Sequence, residues 1–161
     1  MRLIVFSDSH GNFTALKRVI DLHTEADAYI HLGDGAEEVE MIKMLYHNKK
    51  FICVCGNCDV DSDEKLSRVE VFDNKTVYFT HGHYHNVKYT DNYLIEAAKQ
   101  SGADIVLYGH THISREEYLN GIYIMNPGSI SKPKNTQRPT YGIVDITNSG
   151  ILMSIAELKY E

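Results

Sequence analysis

Short apolar runs alternate with longer stretches of helical period along this chain. The segments "RLIVF" (2–6), "AYIHL" (28–32) and "FICVCGN" (51–57) are almost continuously aliphatic or aromatic, as strands buried on both faces are. Between them, Thr14–His23 and Ala36–Tyr46 repeat apolar positions every three or four residues, the period of an amphipathic helix. Strand, helix, strand, helix, strand in that order predicts a mainly parallel sheet. Further on, "LSRVEVF" and "TVYFTHG" flank the turn "DNK" and predict a hairpin. A third helix is expected over Asp91–Ser101, leading into "DIVLYGH". The remainder, "REEYL", the turn Asn120-Gly121, "IYIMNPG", "TYGIVDI", the turn "NSG" and "ILMSIAEL", predicts an antiparallel tail. Two sheet regions within 161 residues predict a layered α/β sandwich, with helices outside, as one domain over residues 1–161.

Composition narrows the class. Apolar residues make up 43% and charged residues 24%, which is enough apolar surface for a buried core. A formal charge of −6 excludes a basic field that would draw in a nucleic-acid backbone nonspecifically. The basic segment "SKPKNTQRP" (131–139) is expected to be a solvated loop. Only four apolar residues, Leu3 to Phe6, precede the polar "SDSHGN", too few for a secretory signal, and no run approaches the ~18 apolar residues of a membrane span. A cytoplasmic protein without a membrane partner is expected. Cys53, Cys55 and Cys58 are odd in number, which argues against a disulfide framework. Cys55-x-x-Cys58 has no second C-x-x-C, so a thiol redox or zinc module ranks last and the three read as structural or incidental thiols.

The polar residues that follow the apolar runs carry more information. Asp8 and His10 follow "LIVFS", Asp34 follows "YIHLG", Asn57 follows "ICVCG", His81 follows "VYFT", and His110 and His112 follow "IVLYG". In parallel α/β sheets the carboxyl ends of strands converge on one crevice, where ligands bind. An Asp or Asn after a strand is ordinarily a turn residue or helix cap, yet coincidence at five strand ends is hard to credit. Carboxylate, imidazole and amide oxygen together suit manganese, iron or zinc rather than a thiolate-selected metal. Seven donors exceed one tetrahedral ion. If Asp34 bridges, they divide into two sets of four, as in a two-metal centre.

The ordered series "DSHGN", "LGDG", "CGNCD", "THGH", "GHTH" and "NPGS" resembles the calcineurin-like metallophosphoesterases, in particular their small bacterial and archaeal phosphodiesterase branch. This resemblance covers nearly the whole chain and implies a four-layer α-β-β-α sandwich of two mixed sheets flanked by helices. It implies that Asp8, His10, Asp34 and His112 hold one divalent ion, and Asp34, Asn57, His81 and His110 a second. Manganese is the expected metal, with nickel, zinc or iron as alternatives. The implied activity is hydrolysis of a phosphodiester by a metal-bridging hydroxide in line with the leaving group, with Asn57 stabilising the developing charge. "NPGS" is expected to pack near the site.

Where many members of that family carry histidine after the metal-binding asparagine, this chain has Cys58. Cys58 is therefore placed on the leaving-group side, where a thiol is a poorer acid than imidazole, and either good leaving groups react best or water or another side chain supplies the proton. His83 is assigned a substrate-facing or supporting role, and His23, His31, His47 and His85 structural or surface roles. Tyr84, Tyr89 and Tyr93 are expected to be a packed helix face rather than a substrate wall or a dimer contact. The expected partner is a small phosphodiester, with nucleic acid only as a substrate and pairing with a second copy left open. A non-catalytic interaction scaffold on the same fold, like the retromer subunit that resembles these enzymes, is the alternative that intact ligand positions argue against.

Overall fold

Leu3 and Val5 point to one side of the first strand and Ile4 and Phe6 to the other, and all four are buried. A strand apolar on both faces needs a layer above and a layer below. The computed structural model, which describes residues 1–135 and 138–159, supplies both. In chain order the elements are β1 (Arg2–Phe6), α1 (Phe13–Leu22), β2 (Ala28–His31), α2 (Ala36–Leu45), β3 (Phe51–Cys53), β4 (Ser67–Phe72) and β5 (Lys75–Thr80). A 3-10 turn (His83–His85), α3 (Asn92–Gln100), β6 (Ile105–Tyr108), β7 (Ser114–Leu119), β8 (Ile122–Pro127), β9 (Thr140–Thr147) and β10 (Gly150–Glu157) follow.

The strands form two five-stranded mixed sheets, ordered β10-β9-β1-β2-β3 and β4-β5-β6-β8-β7. Leu3, Val5, Ile30 and Val144 of the first sheet meet Val77, Phe79, Leu107 and Met125 of the second in a core between them. The outer face of the first sheet, with Ile4, Phe6 and Tyr29, is covered by Leu16, Val19 and Ile20 of α1 and Ile42 of α2. The outer face of the second, with Tyr78, Val106 and Ile124, is covered by Leu94 and Ala98 of α3. Helix, sheet, sheet, helix is the four-layer order expected, in one domain.

Two expectations are corrected. The tail is not simply antiparallel: β7–β8 and β9–β10 are antiparallel pairs, but β8 runs parallel to β6, and β9 leaves for the other sheet to lie antiparallel to β1. Hairpin turns were legible, whereas the return of β8 beside β6 depends on long-range packing. The run "FICVCGN" is strand only to Cys53, because after it the chain turns to carry Asn57 and Cys58 to the site. The hairpin turns themselves are as read. Asp73-Asn74 and Asn120-Gly121 both take the left-handed conformation that a two-residue turn requires. No helix among the described residues is long and apolar enough to cross a membrane. The segment 131–139 is only partly within the described residues.

Candidate metal centre

Five of the seven predicted donors hold a backbone conformation that non-glycine residues seldom adopt. Asp8 (φ 56°), His10 (43°), Asp34 (58°), His110 (67°) and His112 (61°) are all left-handed, where an L side chain is strained. Among the described residues, the other non-glycine positions with positive φ are all Asp or Asn. Such strain persists only where surroundings over-determine it, and here hydrogen bonds do so. Asp8 N–H donates to Gly33 O and His10 N–H to Asp34 O, both at 3.0 Å, tying the β1 loop to the β2 loop.

The side chains gather into two adjoining groups that share Asp34. In the first, Asp8 Oδ1 lies 3.0 Å from His112 Nε2, and His112 Nε2 lies 3.3 Å from His10 Nε2. In the second, His81 Nε2 lies 3.2 Å from both Asn57 Oδ1 and His110 Nδ1. Asp34 Oδ2 stands between them, 3.8 Å from His10 Nε2 and 3.5 Å from His81 Nε2. The structure thus brings all seven together and sends His110 and His112 to different groups.

Proton positions decide what these groups can do. His112 Nδ1 donates to Lys132 O at 2.6 Å and His81 Nδ1 to Leu32 O at 2.7 Å, so each neutral ring presents the lone pair of Nε2 inward. Lone pairs facing lone pairs at 3.0–3.3 Å repel unless a proton or a cation lies between them. Asp8 Oδ1 is buried with no hydrogen-bond donor, while Oδ2 is held by Ser7 Oγ at 2.5 Å and His110 N–H at 3.1 Å. A buried carboxylate oxygen left bare beside inward imidazoles fits a divalent ion. Asp8–His10–His112 and Asp8–Asp34–His81 each place donor atoms within 4.8 Å of one another, as does His10–Asp34–Cys58.

Electrostatics points the same way. Burial opposes the charged forms of Asp8 and Asp34, yet both stay below the ordinary carboxylate range because of His112 and His81 respectively, with Ser7 and Cys58 assisting. His81 is also opposed by burial but ends raised, through Asp34 and Asp8. Asp8, whose Oδ1 would accept from His112 Nε2 only once that ring is protonated, raises His112. Burial, then the charge of His81, pushes His110 down to about 4.

Cys58 and His83 occupy the rim. Cys58 is exposed, its Sγ 3.3 Å from Asn57 Nδ2 and its N–H donating to Asp34 Oδ1 at 2.8 Å. The His83 ring lies 5.3 Å from that of His81 and 6.0 Å from that of His110, and its Nδ1 is buried without a partner. All three cysteines are free thiols, with only Cys53 buried. The packed-face expectation for the tyrosines is overturned: Tyr84, Tyr89 and Tyr93 are 71%, 90% and 60% exposed, the first two lying before α3 and Tyr93 on a helix that buries Leu94 and Ala98 instead.

Several supporting residues escaped the sequence reading. Asp59 accepts from four backbone N–H groups: Asp34 and Gly56 on Oδ2, Gly35 and Ala36 on Oδ1. It thereby caps α2, whose own N-cap, Gly35, has no side chain to do so. Gly33 N–H donates to His31 Nδ1, so His31 Nε2 donates to Ser9 Oγ at 3.0 Å, and Ser9 Oγ to Glu38 Oε1 at 2.9 Å. Glu38 Oε1 also accepts from Gly11 N–H. This buried chain fixes the turn that carries His10. "NPGS" is the packing motif expected. Asn126 donates to Gly109 O and Thr111 Oγ1, and Ser129 Oγ donates to Asp8 O at 2.8 Å.

Residues 1–149 match the model of the calcineurin-like phosphoesterase superfamily domain. The chain belongs to that superfamily. It is 33% identical over 149 residues to the probable metallophosphoesterase YsnB of Bacillus subtilis, covering 92% of this chain and 86% of that one. It is 30% identical over 170 residues to the phosphodiesterase YfcE of Escherichia coli K12, covering 90% and 88%. A crystal structure of a predicted phosphoesterase from Streptococcus pneumoniae TIGR4 superimposes with a TM-score of 0.85 at 30% identity, over 97% of this chain and 88% of that one. Metallophosphoesterase membership therefore accounts for the fold and for a cluster able to hold metal.

Proposed function

We propose that this protein is a dinuclear-metal-dependent phosphodiesterase. Asp8, His10, Asp34 and His112 would hold one ion, and Asp34, Asn57, His81 and His110 the other. The observation that carries the reading is the pair of inward-facing lone-pair clusters sharing Asp34, with Asp8 Oδ1 left bare beside them. The mix of carboxylate, imidazole and amide oxygen favours manganese, with nickel, zinc or iron able to substitute. When bound, such ions acidify water to a nucleophile at neutral pH and neutralise charge on the phosphoryl oxygens.

The chain's own residues supply orientation and proton handling. Asp34 keeps one oxygen on the Cys58 N–H and turns the other to the shared position. Leu32 O and Lys132 O fix the tautomers of His81 and His112. Asn57, exposed at the rim, can donate from Nδ2 to a phosphoryl oxygen while Oδ1 points inward. Cys58 stands beside Asn57, on the side assigned to the leaving group. Burial, then its hydrogen bond to Asp34, raises its thiol, so it stays protonated at neutral pH.

The test is to strip metal with a chelator, then assay a chromogenic phosphodiester and the matching monoester while adding manganese, nickel, zinc or magnesium singly. Return of activity with a transition metal, stronger on the diester and with two ions per chain, is the expected result. Binding of metal with no hydrolysis of either ester would overturn the reading in favour of an interaction scaffold.

A further inference from the structure

The surroundings of the centre are lopsided in charge. Toward α2, a cleft of about 380 Å³ is walled by Glu37, Glu38 and Asp59 together with Cys58, and Lys132 is its lone cation. A second cleft, of about 340 Å³, is lined by Lys88 and Lys134 together with Val87, Tyr108 and Ile113. Thr111, the residue between His110 and His112, also lines it. Arg115 borders the same cleft but is taken up by Asp91 and Glu117. Neither Lys88 nor Lys134 has a carboxylate partner among the described residues.

Both lysines are tied to the centre by the backbone. Lys134 N–H donates to His112 O at 3.1 Å, and the His112 ring donates back to Lys132 O. Val87 packs against Gly82, where a Cβ would fall 2.9 Å from Val87 Cγ2, so Lys88 is carried on the wall of the His81–His83 loop. Two residues on from Gly82, Tyr84 is 71% exposed and rests its ring 4.4 Å from that of His83, itself 6.0 Å from that of His110.

Two unpaired ammonium groups in a partly apolar cleft, with an exposed aromatic ring against His83, suit phosphate, sugar and base together. The acidic cleft toward α2 repels a second phosphate, so only one orientation of such a substrate is favourable. We propose that the Lys88–Lys134 cleft binds a second phosphate on the arm of the substrate that stays behind, and that the substrate is the phosphodiester end of a short oligonucleotide. This rests on the phosphodiesterase reading above and places the leaving arm toward Cys58.

Three p-nitrophenyl diesters with one leaving group test it: methyl p-nitrophenyl phosphate, the p-nitrophenyl ester of thymidine 5′-phosphate, and that ester carrying a further 3′-phosphate. With metal restored, kcat/KM should rise along that series, the last step by about tenfold, which corresponds to about 1.4 kcal/mol. Lys88→Gln combined with Lys134→Gln should bring that last step down towards unity. Independently of turnover, calorimetry on metal-free protein should show thymidine 3′,5′-bisphosphate binding more tightly than thymidine 5′-phosphate, with the difference lost in the double variant. Equal kcat/KM with and without the 3′-phosphate, or a ratio untouched by the double variant, would overturn the subsite while hydrolysis of the methyl ester upheld the phosphodiesterase. Hydrolysis of none of the three would overturn both.

Discussion

The Cys58 N–H donates to Asp34 Oδ1 at 2.8 Å, which commits one carboxylate oxygen and leaves the other between His10 and His81. Asp34 is therefore held at the seam of the two donor groups rather than inside either. Gly56 makes this contact sterically possible: a Cβ there would fall 2.1 Å from Asp34 Oδ1 and 2.3 Å from its backbone N.

Asp34→Asn keeps the shape of the side chain but removes the charge that both donor groups share. We expect bound metal to fall from two ions per chain to one or none and kcat to drop by at least about 10³-fold, equivalent to about 4 kcal/mol. Metal analysis after gel filtration, read with circular dichroism, checks this. Two ions retained with normal turnover would refute the bridging assignment.

Glu38 acts on stability first. Its Oε1 is the acceptor for both Ser9 O–H and Gly11 N–H in a buried setting. Glu38→Ala leaves both donors without a partner and should cost about 1–3 kcal/mol in urea denaturation. Glu38→Gln, which retains an acceptor oxygen, should recover part of that loss. Indistinguishable denaturation midpoints for the wild type and both variants would show that the His31–Ser9–Glu38 chain does not hold the β1 loop.

The apolar runs revealed the layers because "RLIVF" and "IVLY" are buried on both faces and so lack polar alternation. Donors were legible because each closely follows an apolar run. Asp59 and Glu38 were not, since Asp59 caps a helix that begins 23 positions earlier and Glu38 looks like an ordinary acidic residue in the first turn of α2. The left-handed donors carried no local sign either: Asp8, His10, His110 and His112 are neither glycine nor in a turn signature, and only pairing between loops holds them there. Tyr84, Tyr89 and Tyr93 misled because aromatic residues near a helix are as easily displayed as buried.

Cys58 bears on the choice of leaving group. Its thiol stands beside Asn57 and stays protonated, yet sulfur transfers a proton to a departing alkoxide poorly. Cys58→His should therefore raise hydrolysis of esters with poor leaving groups by about 10²-fold, within the usual range for general-acid catalysis, and change p-nitrophenyl esters little. The measurement is the slope of log(kcat/KM) against leaving-group pKa. A slope as steep as the wild type's, with metals still bound, would remove Cys58 from the leaving-group side.

Protons and metal ions compete for the same lone pairs, and the two donor groups do so unequally. His112, whose protonated ring would donate to Asp8, and His81, through Asp34 and Asp8 against burial, are raised above the ordinary histidine value of about 6.5. His10 and His110 are lowered, mainly by burial, His110 to about 4, and so hold less of the proton at pH 6.5. Metal binding at that pH should displace up to about two protons, from His81 and His112, so affinity rises with pH until their raised values are passed. In metal-free protein the sign reverses for these two groups. A raised folded pKa contributes stability that is complete below about 6.5 and is lost as pH climbs through the folded value. The rise in Tm on adding manganese should therefore grow from pH 6 to pH 8. Calorimetric titrations in buffers of different ionisation enthalpy count the protons directly, and a count near zero at pH 6.5 would contradict the raised values of His81 and His112.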